Sequence, residues 1–274
     1  MNEAEVKYPS GIFLACREDQ QQVLEQVVPE HLLIYIYQGT MNITTAEGSF
    51  RVNSGECVLL GRNQLGKFNK VPEDGNPYKA ATVFLDRTIL KGFYSGHPEI
   101  RKPMLQRTIT FKRHPLLENL FRSVSVFSEL GEGVVPEELA RLKMQEAVTL
   151  IRTLNIAADD LLSDFSEPHK VDLSDFMQKN FMFNIPISRF AYLTGRSLAA
   201  FKRDFRKNFN MPPQRWLTAQ RLELAHFLIA ERGMKASAAY VDAGFENFSH
   251  FTFAFKKHFG YNASAVMSRQ THKT

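Results

Sequence analysis

The sequence has little cysteine and lacks any long apolar run. Cys16 and Cys57 are the only two cysteines in 274 residues, and they lie far apart. This excludes a disulfide scaffold and the CxxC pairs of structural zinc, and it fits a reducing compartment. No stretch approaches the roughly 20 apolar residues of a membrane span, and residues 1–5 lack the basic start of a signal peptide. We therefore expect a cytoplasmic protein with no membrane partner.

The sequence also lacks a cluster of metal-binding side chains. His31, His97 and His114 are scattered through the N-terminal half, whereas a catalytic metal site would need closely spaced histidines with a glutamate. We expect isolated histidines of this kind to be structural or at the surface. The sequence therefore predicts no catalytic residue, no metal and no cofactor.

Charge is distributed unevenly along the chain. Hydrophobic residues make up 44% and charged residues 23%, which is typical of a packed globular protein. From residue 170 onward there are 16 Lys and Arg against 7 Asp and Glu, a net charge of +9, and the earlier residues carry −4. A basic segment favours a polyanionic partner, because lysine and arginine beside phosphates release condensed counterions. On charge alone, an evenly solvated basic surface is the alternative.

The hydrophobic pattern divides the chain into a β-rich part and a helical part. Between residues 12 and 110, short β-forming segments are separated by turn residues, a pattern typical of a barrel or sandwich. These segments are 32–37, 41–45, 49–52, 57–60 and 78–85. Helical periodicity begins after Pro115, and a break at 131–133 precedes a helix predicted over 136–154. We predict a first domain at 1–160, a linker at 161–172 and a helical domain at 173–274.

The helix predicted over 136–154 carries an apolar stripe with two interpretations. The stripe either packs on its own domain or forms a dimer interface. Its members are Leu139, Leu142, Ala147, Leu150, Ile151 and Leu154, with Met144 and Val148 extending the apolar surface around the helix.

An internal repeat is the most informative feature of the C-terminal part. Each copy has a glycine turn followed by three phenylalanines four residues apart. The glycines Gly195 and Gly244 are separated by 49 residues, and the first phenylalanines, Phe201 and Phe251, by 50. Each copy is predicted as helix, turn, helix, with Ser197 capping one second helix and either Asn247 or Ser249 the other. The phenylalanines should anchor these second helices to their cores and leave the opposite faces free.

The residues around the repeat resemble the AraC family of transcription regulators over about 173–268. The match between the copies comprises Pro213, Trp216, Leu217, Arg221, Leu222, Ala225 and Leu228, and the second copy matches through residues 244–247, Ser249, Phe251 and residues 255–260. Two departures affect base reading. Phe253 stands where the family usually has arginine, and residues 262–264 lack its usual proline. Phe253 is therefore predicted either to contact a thymine methyl group or to be buried.

The resemblance implies two helix-turn-helix units that bind double-stranded DNA. Lys202 and Arg203 are the candidates for base edges or the groove wall, and Lys207, Lys256 and Lys257 those for phosphates. The full set of candidate DNA-binding residues is Ser197, Ala199, Lys202, Arg203, Arg206, Lys207, Asn247, Ser249, His250, Phe253, Lys256 and Lys257.

The resemblance further implies an α+β multidomain protein. A cupin-like β-barrel with accessory helices would precede an all-α DNA-binding domain, and the protein would regulate transcription, as an activator, together with RNA polymerase. A small-molecule effector and a homodimer are left open. Two other classes share parts of this architecture: a metal cupin enzyme, which lacks its ligand cluster here, and a DNA-repair methyltransferase, which would need several clustered thiols.

Overall fold

The protein forms two compact units, residues 1–166 and residues 167–274. The computed structural model describes residues 11–17, 24–96, 106–129 and 135–266. His97, the predicted break at 131–133 and residues 1–5 lie outside the described residues.

Unit 1 is built on two antiparallel sheets. The five-stranded sheet has the order β1-β8-β3-β6-β9 and the four-stranded sheet the order β2-β7-β4-β5. The strands are β1 (Ile12–Arg17), β2 (Leu24–Val28), β3 (His31–Gln38), β4 (Thr40–Thr45), β5 (Gly48–Val52), β6 (Cys57–Leu60), β7 (Gln64–Val71), β8 (Tyr78–Leu85) and β9 (Thr108–Phe111). The five predicted β segments are thus confirmed, and β1, β2, β7 and β9 are additional.

Alternating side chains of the central strand β3 face two different cores. Leu32, Ile34 and Ile36 lie in the core between the two sheets. Leu33 and Tyr35 point to the other face and lie in the core beneath the helices. The result is a β-sandwich with a helical layer on its five-stranded sheet. The predicted closed barrel is not seen in the described part of unit 1, since β1 and β9 are edge strands of one sheet and β2 and β5 of the other.

The helical layer consists of α1 (Arg87–Ser95), α2 (Pro115–Glu129), α3 (Glu137–Leu154) and α4 (Ala158–Leu162). The Phe121 ring of α2 stacks on Tyr35 with 4.6 Å between ring centroids, and the Tyr37 hydroxyl donates to the Phe121 carbonyl at 2.7 Å. These contacts fix α2 on the sheet.

Helix α3 packs on unit 1 through most of the predicted stripe and through the residues beside it. Met144, Ala147, Val148 and Ile151 are buried, whereas Leu142 is 60% exposed. Leu142 therefore does not pack on its own unit, and the alternative of a dimer interface at this residue stays a prediction.

Helix α4 overlaps the start of the predicted linker. Leu161 and Leu162 are buried in the core of unit 1. The Asp159 carboxylate is also buried; it accepts a hydrogen bond from the Tyr94 hydroxyl at 2.6 Å and pairs with Arg152.

Unit 2 is helical throughout its described residues, as predicted. Its helices are α5 (Leu173–Asn180), α6 (Ile187–Leu193), α7 (Leu198–Phe209), α8 (Pro213–Ala230), α9 (Ala236–Asp242) and α10 (Phe248–Phe259), followed by a short 3-10 helix (Ala263–Ala265). In the part of the chain that the structure describes, no helix is long and apolar enough to cross a membrane.

Candidate nucleic-acid interface

Two glycine turns connect the helices of the repeated units. Gly195 between α6 and α7 has φ +63°, and Gly244 between α9 and α10 has φ +88°. A Cβ at either position would overlap backbone atoms, those of His169 and Met182 respectively. Both turns therefore require glycine for conformational freedom and for space.

The second helices of the two units begin and end at equivalent positions. The Ser197 hydroxyl caps α7 by accepting from the Ala200 amide at 3.3 Å, and the Asn247 side chain caps α10 by accepting from the His250 amide at 3.0 Å. The open choice between Asn247 and Ser249 is thus resolved, since Ser249 lies inside the helix. Asn210 and Gly260, again 50 residues apart, end the helices with left-handed φ values of 56° and 79°.

The phenylalanine ladders anchor both second helices to the linking helix α8. On α7, Phe201 and Phe205 are fully buried, and Phe205 lies 5.6 Å from Trp216 of α8 between ring centroids. On α10, the buried Phe255 stacks on His226 of α8 at 6.1 Å. The predicted anchoring is confirmed, and one helix carries both units.

Arg221, in the middle of α8, holds the segment that supports the second turn. Its guanidinium donates to the carbonyls of Phe181 and Phe183 at 2.9 and 2.7 Å and to the Asn184 side chain at 3.2 Å. Because the backbone of this segment also contacts Gly244, Arg221 connects α8 with the α9–α10 turn.

The faces of α7 and α10 opposite the ladders are exposed. All twelve candidate DNA-binding residues are solvent-exposed: Ser197, Ala199, Lys202, Arg203, Arg206, Lys207, Asn247, Ser249, His250, Phe253, Lys256 and Lys257. With the 50-residue offset, Arg206 corresponds to Lys256 and Lys207 to Lys257. The two helices thus carry the same pair of cations in their last turns, where the helix dipole also favours positive charge.

The acidic residue of α7 is paired with basic side chains. Asp204 accepts from Arg196 at 3.2 Å and from Arg203 at 3.3 Å. The hydrogen bond from Arg196 holds the pKa of Asp204 below its usual value. Arg196 is largely buried and also donates to the carbonyls of Val171 and Thr194, so it supports α7 from behind. The Arg203 side chain remains 77% exposed.

A groove of about 820 Å³ runs beside α7, between the first turns of α6 and α8. Its basic wall is formed by Lys202, Arg203, Arg206 and Lys207 of α7. Ser188 and Gln214 line the other sides, and sequence reasoning did not select them. Their position in the first turn of a helix that follows a proline was the available signal, because backbone amides are free there.

The two described histidines of unit 1, His31 and His114, accept hydrogen bonds from backbone amides. His31 is buried and accepts from the Arg62 amide at 3.3 Å, and His114 accepts from the Leu116 amide at 3.3 Å at the start of α2. Within the described residues no group of three His, Cys, Asp or Glu side chains is arranged to hold a metal ion.

Comparison with known proteins assigns both parts of the chain. Residues 190–269 match the family model described as a helix-turn-helix domain, and residues 31–155 match the ExsA N-terminal regulatory domain. The HTH-type transcriptional regulator ExsA of Pseudomonas aeruginosa is 23% identical over 247 residues, covering 87% of this chain and 86% of that protein. The virulence regulon transcriptional activator VirF of Yersinia enterocolitica is 28% identical over 188 residues, covering 65% of this chain and 66% of that protein. These matches support an AraC-family transcription regulator.

Among solved structures, ToxT from Vibrio cholerae aligns with 94% of this AraC-family chain and 96% of its own, at 12% identity and a TM-score of 0.40. By its own fold and the two family models, the chain combines a β-rich N-terminal part that matches a regulatory domain with a helical C-terminal part that matches a helix-turn-helix domain.

Proposed function

We propose that this regulator binds a specific DNA sequence by placing α7 and α10 in two successive major grooves on one face of the duplex. The observation that carries the proposal is the repeat itself. Two identically capped helices, both anchored on α8, turn exposed faces away from their phenylalanine ladders. An α-helix fits the major groove, and successive grooves on one face are about 34 Å apart.

Within this interface, Lys202 and Arg203 are proposed to reach base edges or the groove wall. Lys207, Lys256 and Lys257 are proposed to contact phosphates, together with Arg206. The groove beside α7 supports phosphate contacts by this helix, since a phosphodiester strand lying along its basic wall would be held by several cations at once. Ser197, Ala199, Asn247, Ser249 and His250 complete the proposed contact surface at the exposed beginnings of the helices.

The experiment that tests this proposal is selection of bound sequences from random double-stranded DNA with the full-length protein, followed by footprinting. We expect an enriched site that spans two major grooves. Failure to enrich any sequence, or a footprint covering one groove only, would contradict the proposal.

The N-terminal domain is proposed to regulate DNA binding in the cytoplasm. The support is its match to the ExsA N-terminal regulatory domain over 31–155. We also propose that this domain is cupin-like and binds an effector, and that residues 115–155 form a homodimer interface. Contact with RNA polymerase and activation of transcription are proposed as well. The support for activation is the similarity to the Yersinia relative, a transcriptional activator.

A further inference from the structure

The two DNA-facing helices differ in chemistry at one equivalent pair of positions. The 50-residue offset that relates α7 to α10 pairs Arg203 with Phe253. The Arg203 side chain is 77% exposed, and Phe253 is 70% exposed. One unit therefore presents a forked cation, and the other presents an aromatic ring, at the same place on its outer face.

Phe253 does not belong to the core of its own unit. Phe251 and Phe255, two residues to either side, are fully buried, because they lie on the opposite face of α10. Even Phe248, exposed by 41%, packs on Tyr240 with ring centroids 5.3 Å apart. The Phe253 ring makes no aromatic contact within the described part of the chain, and its helical neighbours on the exposed face are polar or basic.

The surroundings of Phe253 indicate what would cover it. Ser249 and His250 lie one turn before it, and Lys256 and Lys257 one turn after it, all exposed. A protein partner with an apolar surface would have to desolvate the two lysines, whereas a DNA groove would pair them with phosphates. On the floor of the major groove, the apolar group that varies with sequence is the C5-methyl of thymine.

We propose that Phe253 reads a pyrimidine C5-methyl group in the major groove entered by α10, while Arg203 reads guanine in the groove entered by α7. This inference rests on the proposed function. The DNA site would then have two chemically different halves. The half bound by α7 would be recognised through hydrogen bonds to guanine, and the half bound by α10 through a methyl group.

The first arm of the test changes only the DNA. Each thymine of the selected site is replaced in turn by deoxyuridine, which removes the methyl group and keeps every hydrogen-bonding atom. Affinity of the full-length wild type should fall about fourfold at one or two thymines in the α10 half, as expected for one methyl group returned to water. Replacement in the α7 half should have no comparable effect.

The second arm changes the protein. Phe253→Ala should bind the thymine and deoxyuridine sites equally, while Phe253→Leu should keep the preference for the methyl group. Arg203→Ala is the matched control, because it alters the equivalent position of the other unit and should preserve the deoxyuridine effect. Since Phe253 is exposed, the variants should unfold at the wild-type temperature, which circular dichroism checks.

A third arm distinguishes thymine from methylated cytosine. The affinity for DNA with cytosine or 5-methylcytosine at the sensitive position is compared. A higher affinity for 5-methylcytosine that disappears in Phe253→Ala assigns the preference to the methyl group itself. If only thymine raises the affinity, the preference is for thymine as a base.

Two results would overturn the inference while leaving sequence-specific binding intact. One is a wild type that binds its selected site equally well with and without thymine methyl groups. The other is a Phe253→Ala variant that loses the same affinity on both DNAs, which would indicate a wedge between bases or a general contact. Absence of any selected site would instead count against the proposed function.

Discussion

Arg203 and Lys207 lie on the same basic wall of α7 but are expected to act differently at the residue scale. If Arg203 makes a bidentate contact with guanine, Arg203→Ala should cost about 1–3 kcal/mol at the preferred site and relax its specificity. Lys207→Ala should weaken binding to all sequences alike and lower the salt slope by about one. Titrations of specific and random duplexes at several salt concentrations measure both quantities.

If Arg203→Ala lost the same affinity for specific and for random DNA, Arg203 would be assigned to a phosphate contact. Arg196→Ala provides the contrast, because Arg196 supports α7 through Asp204 and two backbone carbonyls. Its replacement should lower the unfolding temperature, an effect not expected for Arg203→Ala.

His31 should make unit 1 sensitive to acid. Its burial, with nearby Arg62 and Arg107, lowers its pKa from 6.5 to about 4. The His31 imidazole therefore binds a proton near pH 6.5 in the unfolded chain but only near pH 4 in the folded chain. Stability from this group is complete above pH 6.5 and is lost as pH falls toward 4, by about 3 kcal/mol in total.

The measurement is chemical denaturation between pH 7 and pH 4 of the wild type and His31→Asn, whose side-chain oxygen can still accept from the Arg62 amide. The variant should lose less stability over this interval. Parallel curves for the two proteins would show that His31 does not contribute to acid sensitivity.

At the same scale, the sequence identified the exposed candidates well because helical periodicity separates them from the phenylalanine ladder. Phe253 was different. Its residue type fitted burial and base contact equally, and only its 70% exposure distinguishes the two. Ser188 and Gln214 were missed because α6, α7 and α8 bring them to one groove only in the folded unit.

At the scale of the element, the cap of α7 has a structural role that can be separated from DNA binding. Ser197→Ala removes the acceptor for the Ala200 amide and should cost about 1 kcal/mol of stability. Ser197→Asp keeps a capping oxygen and should retain stability, but it adds a negative charge on the proposed DNA face. We therefore expect Ser197→Asp to bind DNA less tightly than Ser197→Ala while unfolding at a higher temperature.

Thermal denaturation and DNA titration of the two variants test this order. Asn247→Ala and Asn247→Asp repeat the comparison on α10. If Ser197→Asp bound DNA as tightly as the wild type, Ser197 would lie away from the phosphate backbone.

The sequence predicts the elements that have a clear hydrophobic period or β-forming residues bounded by turn residues. It does not predict the elements that tertiary packing defines. Strand β3 is rich in β-formers and ends at Gly39, so its segment was recognised. Strand β7 contains a glycine and several polar residues, and α4 has five residues, so their sequences carry little periodic signal. Helix α1 is amphipathic, but it is only nine residues long and contains Gly92. These elements are fixed by burial, as Leu90 and Leu161 illustrate.

On the scale of the whole molecule, the chain separates into a β-rich unit and a basic helical unit, as its hydrophobic and charge patterns indicated. The end of unit 1 could not be located from composition, because the acidic segment after residue 157 also contains Leu161 and Leu162 of α4, which are buried. The sequence also does not predict whether the sheets close into a barrel, since the spacing of the β segments is the same for a sandwich and a barrel.

Dimerisation is the last prediction, and the structure changes how it must be tested. Ile151 is fully buried against the core of unit 1, so Ile151→Glu should unfold this unit and cannot report on an interface. Leu142 is 60% exposed on the same helix and is the suitable probe. The half-buried Leu139, Leu150 and Leu154, which pack against the core of unit 1, continue a strip of leucines along α3 that the Lys143–Glu146 ion pair interrupts.

A second copy packing on this strip would bury Leu142 in a symmetric helix pair, and Leu142→Glu would place two carboxylates at that contact. Sedimentation of the full-length protein should then show a dimer for the wild type and a monomer for Leu142→Glu with unchanged unfolding temperature. Ser49→Glu, an equal charge change on exposed β5, should remain dimeric. A wild type that stays monomeric at tens of micromolar, with and without DNA, would contradict the dimer proposal, because the two proposed recognition helices of one chain would then have to bind a site alone.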